Sequence, residues 1–134
     1  MSELEKRLEK LSLRLDRMGM RVEEAVIDAI NAAMDSDLDA AQIVYENDSQ
    51  IDREEVEIEQ ECIRLLALYQ PVGIDLRMLC TILKVNNDLE RVADCAVNIA
   101  ERAAHGELQA VARDNEELRQ LYPTVRKALR DAGL

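Results

Sequence analysis

The stretch Gln70–Glu101 carries two patterns at helical spacing, and these restrict the fold more than any other part of the chain. Apolar residues recur at alternating steps of four and three, which is typical of a helix face buried in a core. They are Met78, Ile82, Val85, Leu89, Val92, Ala96, Ile99 and Ala103. Oxygen-bearing side chains follow the same spacing about one residue further round, at Asn87, Glu90, Asp94, Asn98 and Glu101. A helix that buries the first stripe therefore presents the second as a ladder of carboxylates and amides.

The acidic residues of this ladder are close enough to interact. Glu90 and Asp94 lie four residues apart, so their carboxylates are one helical turn from each other. Like charges at this spacing destabilise a helix unless a cation lies near them. A second acidic stripe precedes it in the chain, at Asp48, Asp52, Glu55 and Glu59. Such stripes are either a solvated face or the two halves of a cation site, and both interpretations stay open here.

The composition favours long aliphatic helices. Hydrophobic residues make up 48% of the chain, yet Trp and Phe are absent, and no β-branched or aromatic alternation indicates a sheet. The breaks at residues 35–37 and 70–73 divide the first part into helices from about Ser2 to Met34, from Leu38 to about Tyr69, and from Asp75 to about Ala104. Two short connections make neighbouring helices antiparallel. We predict an all-α, elongated, up-down-up three-helix bundle.

Local signals predict where these helices start and stop. Ser2 followed by Glu5 has the form of a capping box. Asp37 and Asp75 are the expected N-caps of the second and third helices. The third helix is expected to stop at His105-Gly106, where glycine tolerates the left-handed conformation that ends helices.

The chain changes character after Gly106. Leu108, Val111, Leu118 and Leu121 are the main apolar residues of a charged stretch, and Pro123 interrupts it. One kinked helix or two shorter ones fit this pattern. We predict a first domain at residues 1–106 and an additional C-terminal helical segment at residues 107–134, which packs on the first three helices, on another chain or on nothing.

Charge and cysteine content exclude several classes of protein. The net charge is −11 without a basic block, which argues against nucleic-acid binding because lysine and arginine supply most of that affinity. The N-terminus is too charged for a signal peptide, and no apolar run reaches the ~20 residues of a membrane span, so we expect a cytoplasmic protein. Cys62, Cys80 and Cys95 are odd in number and contain no CxxC pair, so we expect reduced cysteines that pack as small hydrophobic residues.

Enzymatic function finds no support in the motifs. A ferritin-like di-iron site needs Glu-x-x-His on two helices. A phosphotransfer domain needs an exposed histidine in the middle of a helix. The sole histidine, His105, lies at a helix end, where it interacts favourably with the helix dipole. We find no nucleophile paired with a base and no Gly-rich phosphate loop, so we expect no catalytic residue and no enzyme.

Four segments together resemble the PhoU family, the helical regulators of bacterial phosphate uptake and signalling. They are Met18-Gly19, Glu46–Asp52 (ENDSQID), Gln70–Arg77 (QPVGIDLR) and Asn86–Ala103 (NNDLERVADCAVNIAERA). The resemblance implies three-helix bundles, normally two in tandem. It covers one repeat, Met1–His105, and residues 107–134 resemble the opening helix of a second. A piece of a longer chain and a one-repeat variant both fit. A single repeat exposes the face that normally contacts the second repeat, so we expect a homodimer.

The resemblance also implies a metal site. The acidic motif of the family corresponds to Glu90 and Asp94 on helix three, with Asp48 and Asp52 as its counterpart on helix two. Iron, zinc, manganese and magnesium are the candidate ions, and carboxylate pairs on adjacent helices suit hard cations. Further ligands or their supporting partners are expected at Asn87, Asn98 and Glu55. Family members commonly have histidine where this chain has Cys95, which changes the choice of metal only if that position faces the site.

The function implied by the resemblance is regulation. A PhoU-type protein couples the ATPase of the phosphate ABC transporter to a phosphate-sensor histidine kinase and suppresses the phosphate-starvation response. It is cytoplasmic, or peripheral at the inner face of the membrane through its partners. The alternative is a structural helical-bundle interaction module, a homodimer whose acidic stripes are only a solvated face. Metal titration separates the two.

Overall fold

The computed structural model describes residues 1–35, 37–104 and 108–131, and within them the chain forms four α-helices. These are α1 (Glu3–Asp35), α2 (Leu38–Tyr69), α3 (Gly73–Ala104) and α4 (Leu108–Asp131). The first three have 33, 32 and 32 residues, so each is roughly 48–50 Å long. The predicted all-α class with an additional C-terminal helix is confirmed. The predicted stop at His105-Gly106, and with it the predicted domain boundary, lies outside the described residues.

Two of the three predicted N-terminal caps are confirmed. The hydroxyl Oγ of Ser2 accepts a hydrogen bond from the Glu5 N–H at 3.1 Å. Asp37 Oδ1 accepts from the N–H groups of Asp39 and Ala40 at 3.0 and 3.1 Å. Each contact satisfies a donor that the first helical turn leaves unpaired.

The predicted N-cap at Asp75 was wrong. Helix α3 begins two residues earlier, at Gly73, and Asp75 lies inside its first turn. Gly73 has φ +60°, a left-handed conformation that glycine adopts at little cost. The chain can therefore leave the turn and enter the helix at once, while the Asp75 carboxylate interacts favourably with the positive end of the helix dipole.

The connection from α2 to α3 uses a second left-handed residue. Gln70 has φ 45° and ψ 55°, and its N–H donates to the Leu66 carbonyl at 3.1 Å. This is the αL motif that ends many helices. The chain thereby reverses direction within residues 70–72, so α3 packs directly on α2.

Ion pairs between α1 and α2 show that the two helices are antiparallel. Arg14 Nε lies 3.0 Å from Glu54 Oε1, and Arg14 Nη2 lies 2.9 Å from Glu57 Oε2. One to two turns earlier on α1, Arg7 Nη1 lies 4.0 Å from Glu61 Oε1, further along α2. Helices α1 and α2 both pack on α3, which completes the predicted up-down-up bundle.

The core of the bundle is formed by one apolar stripe from each of the first three helices, and the stripe on α3 is the predicted one. The buried members of the α3 stripe are Ile82, Val85, Leu89, Val92, Ala96 and Ile99. They meet the buried α1 stripe of Leu8, Leu11, Leu15, Met18, Val22, Ala25 and Ala29, and the α2 seam of Val44, Ile51, Ile58 and Leu65. Met78 and Leu4 are only partly buried. The position of the Ala103 side chain lies outside the described residues.

The cysteines divide into two groups. Cys62 and Cys95 are buried, as expected of small core residues. Cys80 is free but exposed, so its expected core role was wrong. It lies on the outer side of α3, next in sequence to the buried Leu79.

Helix α4 runs through Pro123 without interruption, which decides between one helix and two. It packs on α3, and Leu118 is 4% exposed. The side chains of Leu108 and Val111 lie outside the described residues. Between α4 and α1 an open groove of about 680 Å³ is lined by Ile27, Ile30, Met34 and Tyr122 among others. Among the described helices, none has the length and apolar character needed to span a membrane.

Candidate metal centre

Carboxylates from α2 and α3 meet on the seam between these two helices. Asp48 and Asp52 are one turn apart on α2, and Asp94 lies on α3. One carboxylate oxygen from each of the three lies within 4.8 Å of the other two. Oxygen atoms this close, from two helices, can all contact one hard cation. The structure thus brings together three of the four residues predicted as metal ligands.

Glu90, the fourth predicted ligand, lies beside this group against Asp52. Its Oε2 is buried and has no hydrogen-bond partner when the carboxyl is ionised. Burial raises the pKa of Glu90 to about 9, with further contributions from a side-chain hydrogen bond with Asp52 and from the negative charges of Asp52 and Asp94. Without a cation, Glu90 therefore holds a proton at neutral pH and can donate it in a hydrogen bond to Asp52.

Asp48 is in a similar environment. Burial raises its pKa, and the charges of Asp52 and Asp94 raise it further. The Oδ1 atoms of Asp48 and Asp52 are buried and without a hydrogen-bond partner. Buried carboxylate oxygens without partners cost free energy, and a cation between them would remove that cost. This donor set therefore fits a metal ion.

The ion pairs of the described residues do not include this group. Within the part of the chain that the structure describes, none of the Lys or Arg ion pairs involves Asp48, Asp52, Glu90 or Asp94. Arg53, next to Asp52 in sequence, directs its Nε to the carbonyl of Ser49 instead, at 3.4 Å.

The remaining predicted residues differ in position. Glu55 is half-buried on the same seam. Burial raises its pKa, and the negative charges of Glu59, Asp52 and Asp94 raise it further. Asn87 and Asn98 are exposed and lie outside the group of three carboxylates. Their predicted role as supporting residues stays a prediction.

Cys95, where the family commonly has histidine, is 6% exposed and belongs to the hydrophobic core. It does not join the group of three carboxylates. A change of metal through this position therefore has no geometric support.

Asn86, the neighbour of Asn87, was not among the predicted site residues. Its side chain is completely buried, at 0% exposure, and its Nδ2 donates to the Glu55 carbonyl on α2 at 2.9 Å. Its spacing of four residues from Glu90 was a signal of this position on the α2–α3 seam. Of the adjacent residues Asn86 and Asn87, only Asn87 was predicted to support the site, and it is exposed.

Comparison with known proteins agrees with this architecture. A family model described as the PhoU domain matches residues 15–103. A protein of Pseudomonas putida named phosphate-specific transport system accessory protein PhoU homolog is 41% identical over 126 residues, 93% of this chain and 49% of its own length. One of the same name from Aquifex aeolicus is 45% identical over 98 residues, 73% of this chain and 44% of its own length.

A solved structure extends the likeness to three dimensions. The crystal structure of PhoU from Pseudomonas aeruginosa matches with a TM-score of 0.77 and 35% identity, covering 90% of this chain and 62% of that one. The chain spans about half the length of the curated relatives it matches.

Proposed function

The chain belongs to the PhoU domain family, and from this premise we propose that it is a regulatory accessory protein of phosphate transport. The family match over residues 15–103 carries the proposal, together with relatives whose names place them in the phosphate-specific transport system. Long helices with exposed charged faces suit a protein that acts by docking to other proteins. The chain covers half of those relatives, so the function of the whole protein is part of the proposal.

We propose further that the α2–α3 seam holds a cation through Asp48, Asp52 and Asp94. Glu90 is a fourth ligand that gives up its proton when the ion binds. The donors are all oxygen atoms, which favours magnesium, manganese or iron(III) over zinc, an ion more often bound by nitrogen and sulfur. The bound ion supplies positive charge that neutralises the carboxylates and cross-links the two helices.

The proposed partners are the ATPase of the phosphate ABC transporter and a phosphate-sensor histidine kinase. Both present surfaces to the cytoplasm, so the chain acts there or at the inner face of the membrane. We also propose a homodimer, because the groove between α1 and α4 leaves Ile27 and Met34 exposed.

A reporter experiment tests the regulatory function. In a bacterium that lacks its own family member, expression of this chain is expected to restore repression of a phosphate-starvation reporter at high phosphate. The Asp48→Asn/Asp52→Asn variant is expected to lose most of that repression because the cation site is disabled. The matched control is Glu24→Gln/Asp28→Asn, which neutralises a carboxylate pair of the same spacing on α1.

Each outcome bears on a different part of the proposal. A reporter that stays active although the folded wild-type chain accumulates contradicts the regulatory function. Repression by the Asp48→Asn/Asp52→Asn variant equal to that by the wild type contradicts a functional cation. The acidic stripes would then be a solvated face of a helical interaction module.

A further inference from the structure

Asn86 is a buried polar residue in the interface between α2 and α3. The side chain is 0% exposed, and among the described residues only Ser12 shares its status as a buried polar side chain. An amide completely removed from water is costly unless it forms hydrogen bonds. Its position on the α2–α3 seam therefore calls for a role that an apolar residue could not fill.

The hydrogen bond of Asn86 joins α3 to the backbone of α2. Its Nδ2 donates to the carbonyl of Glu55 at 2.9 Å. The acceptor is a main-chain atom, so the contact specifies one position along α2 and not merely one kind of side chain. Hydrogen bonds depend strongly on distance and angle, and this one is lost if α3 slides along α2.

The same contact sets which carboxylates face each other. Glu90 lies four residues after Asn86 on α3, and Asp52 lies three residues before Glu55 on α2. Because the two helices are antiparallel, Glu90 and Asp52 are level with each other. Four more residues on each helix bring Asp94 level with Asp48. These are the carboxylates that interact across the seam in the structure. The site is thus one to two helical turns from the hydrogen bond that defines its register.

Neither the apolar core nor the carboxylates could define this register alone. The α2 seam repeats every seven residues at Val44, Ile51, Ile58 and Leu65, so a slip of seven residues restores the burial of its apolar surface. The carboxylates repel one another and favour a register that separates them. A single buried polar contact is a known device for fixing the register of packed helices.

We propose that Asn86 is a positioning residue, which holds α3 in register with α2 so that Glu90 and Asp94 face Asp48 and Asp52. The consequence of this register, the assembly of the cation site, rests on the proposed function. The register itself can be measured without any metal.

The test compares Asn86→Leu with the wild-type protein. Leucine has the same branching at Cγ but cannot hydrogen-bond, so we expect a folded protein in which α3 is free to slip. Nitroxide labels at the exposed positions Ile43 and Lys84, each changed to cysteine with Cys80→Ser, report the register by pulsed electron spin resonance. Cys62 and Cys95 are buried, and burial raises the pKa of Cys62 to about 12, so both thiols are expected to react with the label much more slowly than the two exposed cysteines.

The expected result in EDTA is a distance distribution that shifts by about 10 Å, the rise of seven helical residues, or that gains a second component displaced by this amount. The Mn(II) affinity of Asn86→Leu is expected to fall at least tenfold. The matched control, Ser12→Ala, removes the other buried polar side chain, which lies on α1, and is expected to leave both measurements unchanged. If Asn86→Leu does not fold, Asn86→Ala is measured in the same way.

The outcomes separate this inference from the proposed function. An Asn86→Leu distance distribution that matches the wild type overturns the positioning role, whatever the metal does. A wild-type protein that binds no Mn(II) contradicts the proposed cation site, while the distances still decide the role of Asn86.

Discussion

At the scale of single residues, the protonation of Glu90 makes the stability of the protein depend on pH. Its pKa is raised to about 9 because the carboxyl is buried beside Asp52. Burial also raises the pKa of Asp48 and of Glu55. The folded protein without metal therefore binds more protons near neutral pH than the unfolded chain does. Stability then falls as the pH rises.

We predict that the free energy of unfolding of EDTA-treated protein decreases from about pH 5 to pH 9. The stabilisation from the raised pKa of Glu90 is fully present below 4.5, its ordinary value, and is lost as the pH rises through about 9. The variant Glu90→Gln resembles the protonated residue and is expected to melt roughly 2–6 °C above the wild type at pH 8. Thermal melts across this pH range provide the measurement.

The control for this prediction is Glu24→Gln, which neutralises an exposed carboxylate on α1. It is expected to follow the pH dependence of the wild type. If Glu90→Gln also follows it, the carboxyl of Glu90 is ionised in the folded protein at neutral pH, and our description of the seam is wrong.

At the scale of helices, different contacts hold each pair together. Arg14 bridges α1 to two glutamates of α2 through side chains that are partly exposed, and exposed ion pairs contribute little stability. The α2–α3 pair instead has a buried hydrogen bond from Asn86. Register is therefore specified most strongly where the carboxylates converge.

The ends of a helix are predictable from the sequence where the residues that determine them are neighbours in the chain. The predicted bounds of α2, Leu38 to Tyr69, agree with the structure because the Asp37 cap and the break at Gln70-Pro71 act on neighbouring residues. The start of α3 was misplaced because nothing in the sequence shows that Gly73 adopts a positive φ.

The candidate site was predictable only in part, for the same reason. The i,i+4 spacing of Asp48 with Asp52 and of Glu90 with Asp94 is visible in the sequence. The register that places Asp94 near the α2 pair, and Glu90 against Asp52, depends on contacts between residues about 40 apart in the chain. Asn86 was missed because its partner is a backbone carbonyl 31 residues away.

At the scale of the whole molecule, the groove between α1 and α4 is an apolar surface that the described helices leave uncovered. Ile27 is 51% exposed and Met34 is 78% exposed on its α1 side. Contiguous apolar surface of this kind marks interaction sites more often than scattered residues do. It is the surface on which we base the proposed homodimer.

We predict that light scattering gives the mass of two chains for the wild-type protein and of one chain for Ile27→Lys. The lysine places a charge on the apolar surface, and burying it in an interface costs several kcal/mol. The control is Val56→Lys on α2, where the native side chain is similarly exposed, at 45%. A wild-type mass of one chain, or dissociation by Val56→Lys alone, contradicts this interface.

The central claim is that the α2–α3 seam holds a cation, and crystallography with Mn(II) tests it most directly. Anomalous difference density is expected between Asp48, Asp52 and Asp94, with an oxygen of each about 2.0–2.6 Å from the ion, the range of hard cations. Crystals of Asp48→Asn/Asp52→Asn grown with the same ion should lack this density. A wild-type map without density on the seam, or with density only at exposed carboxylates elsewhere, contradicts the claim.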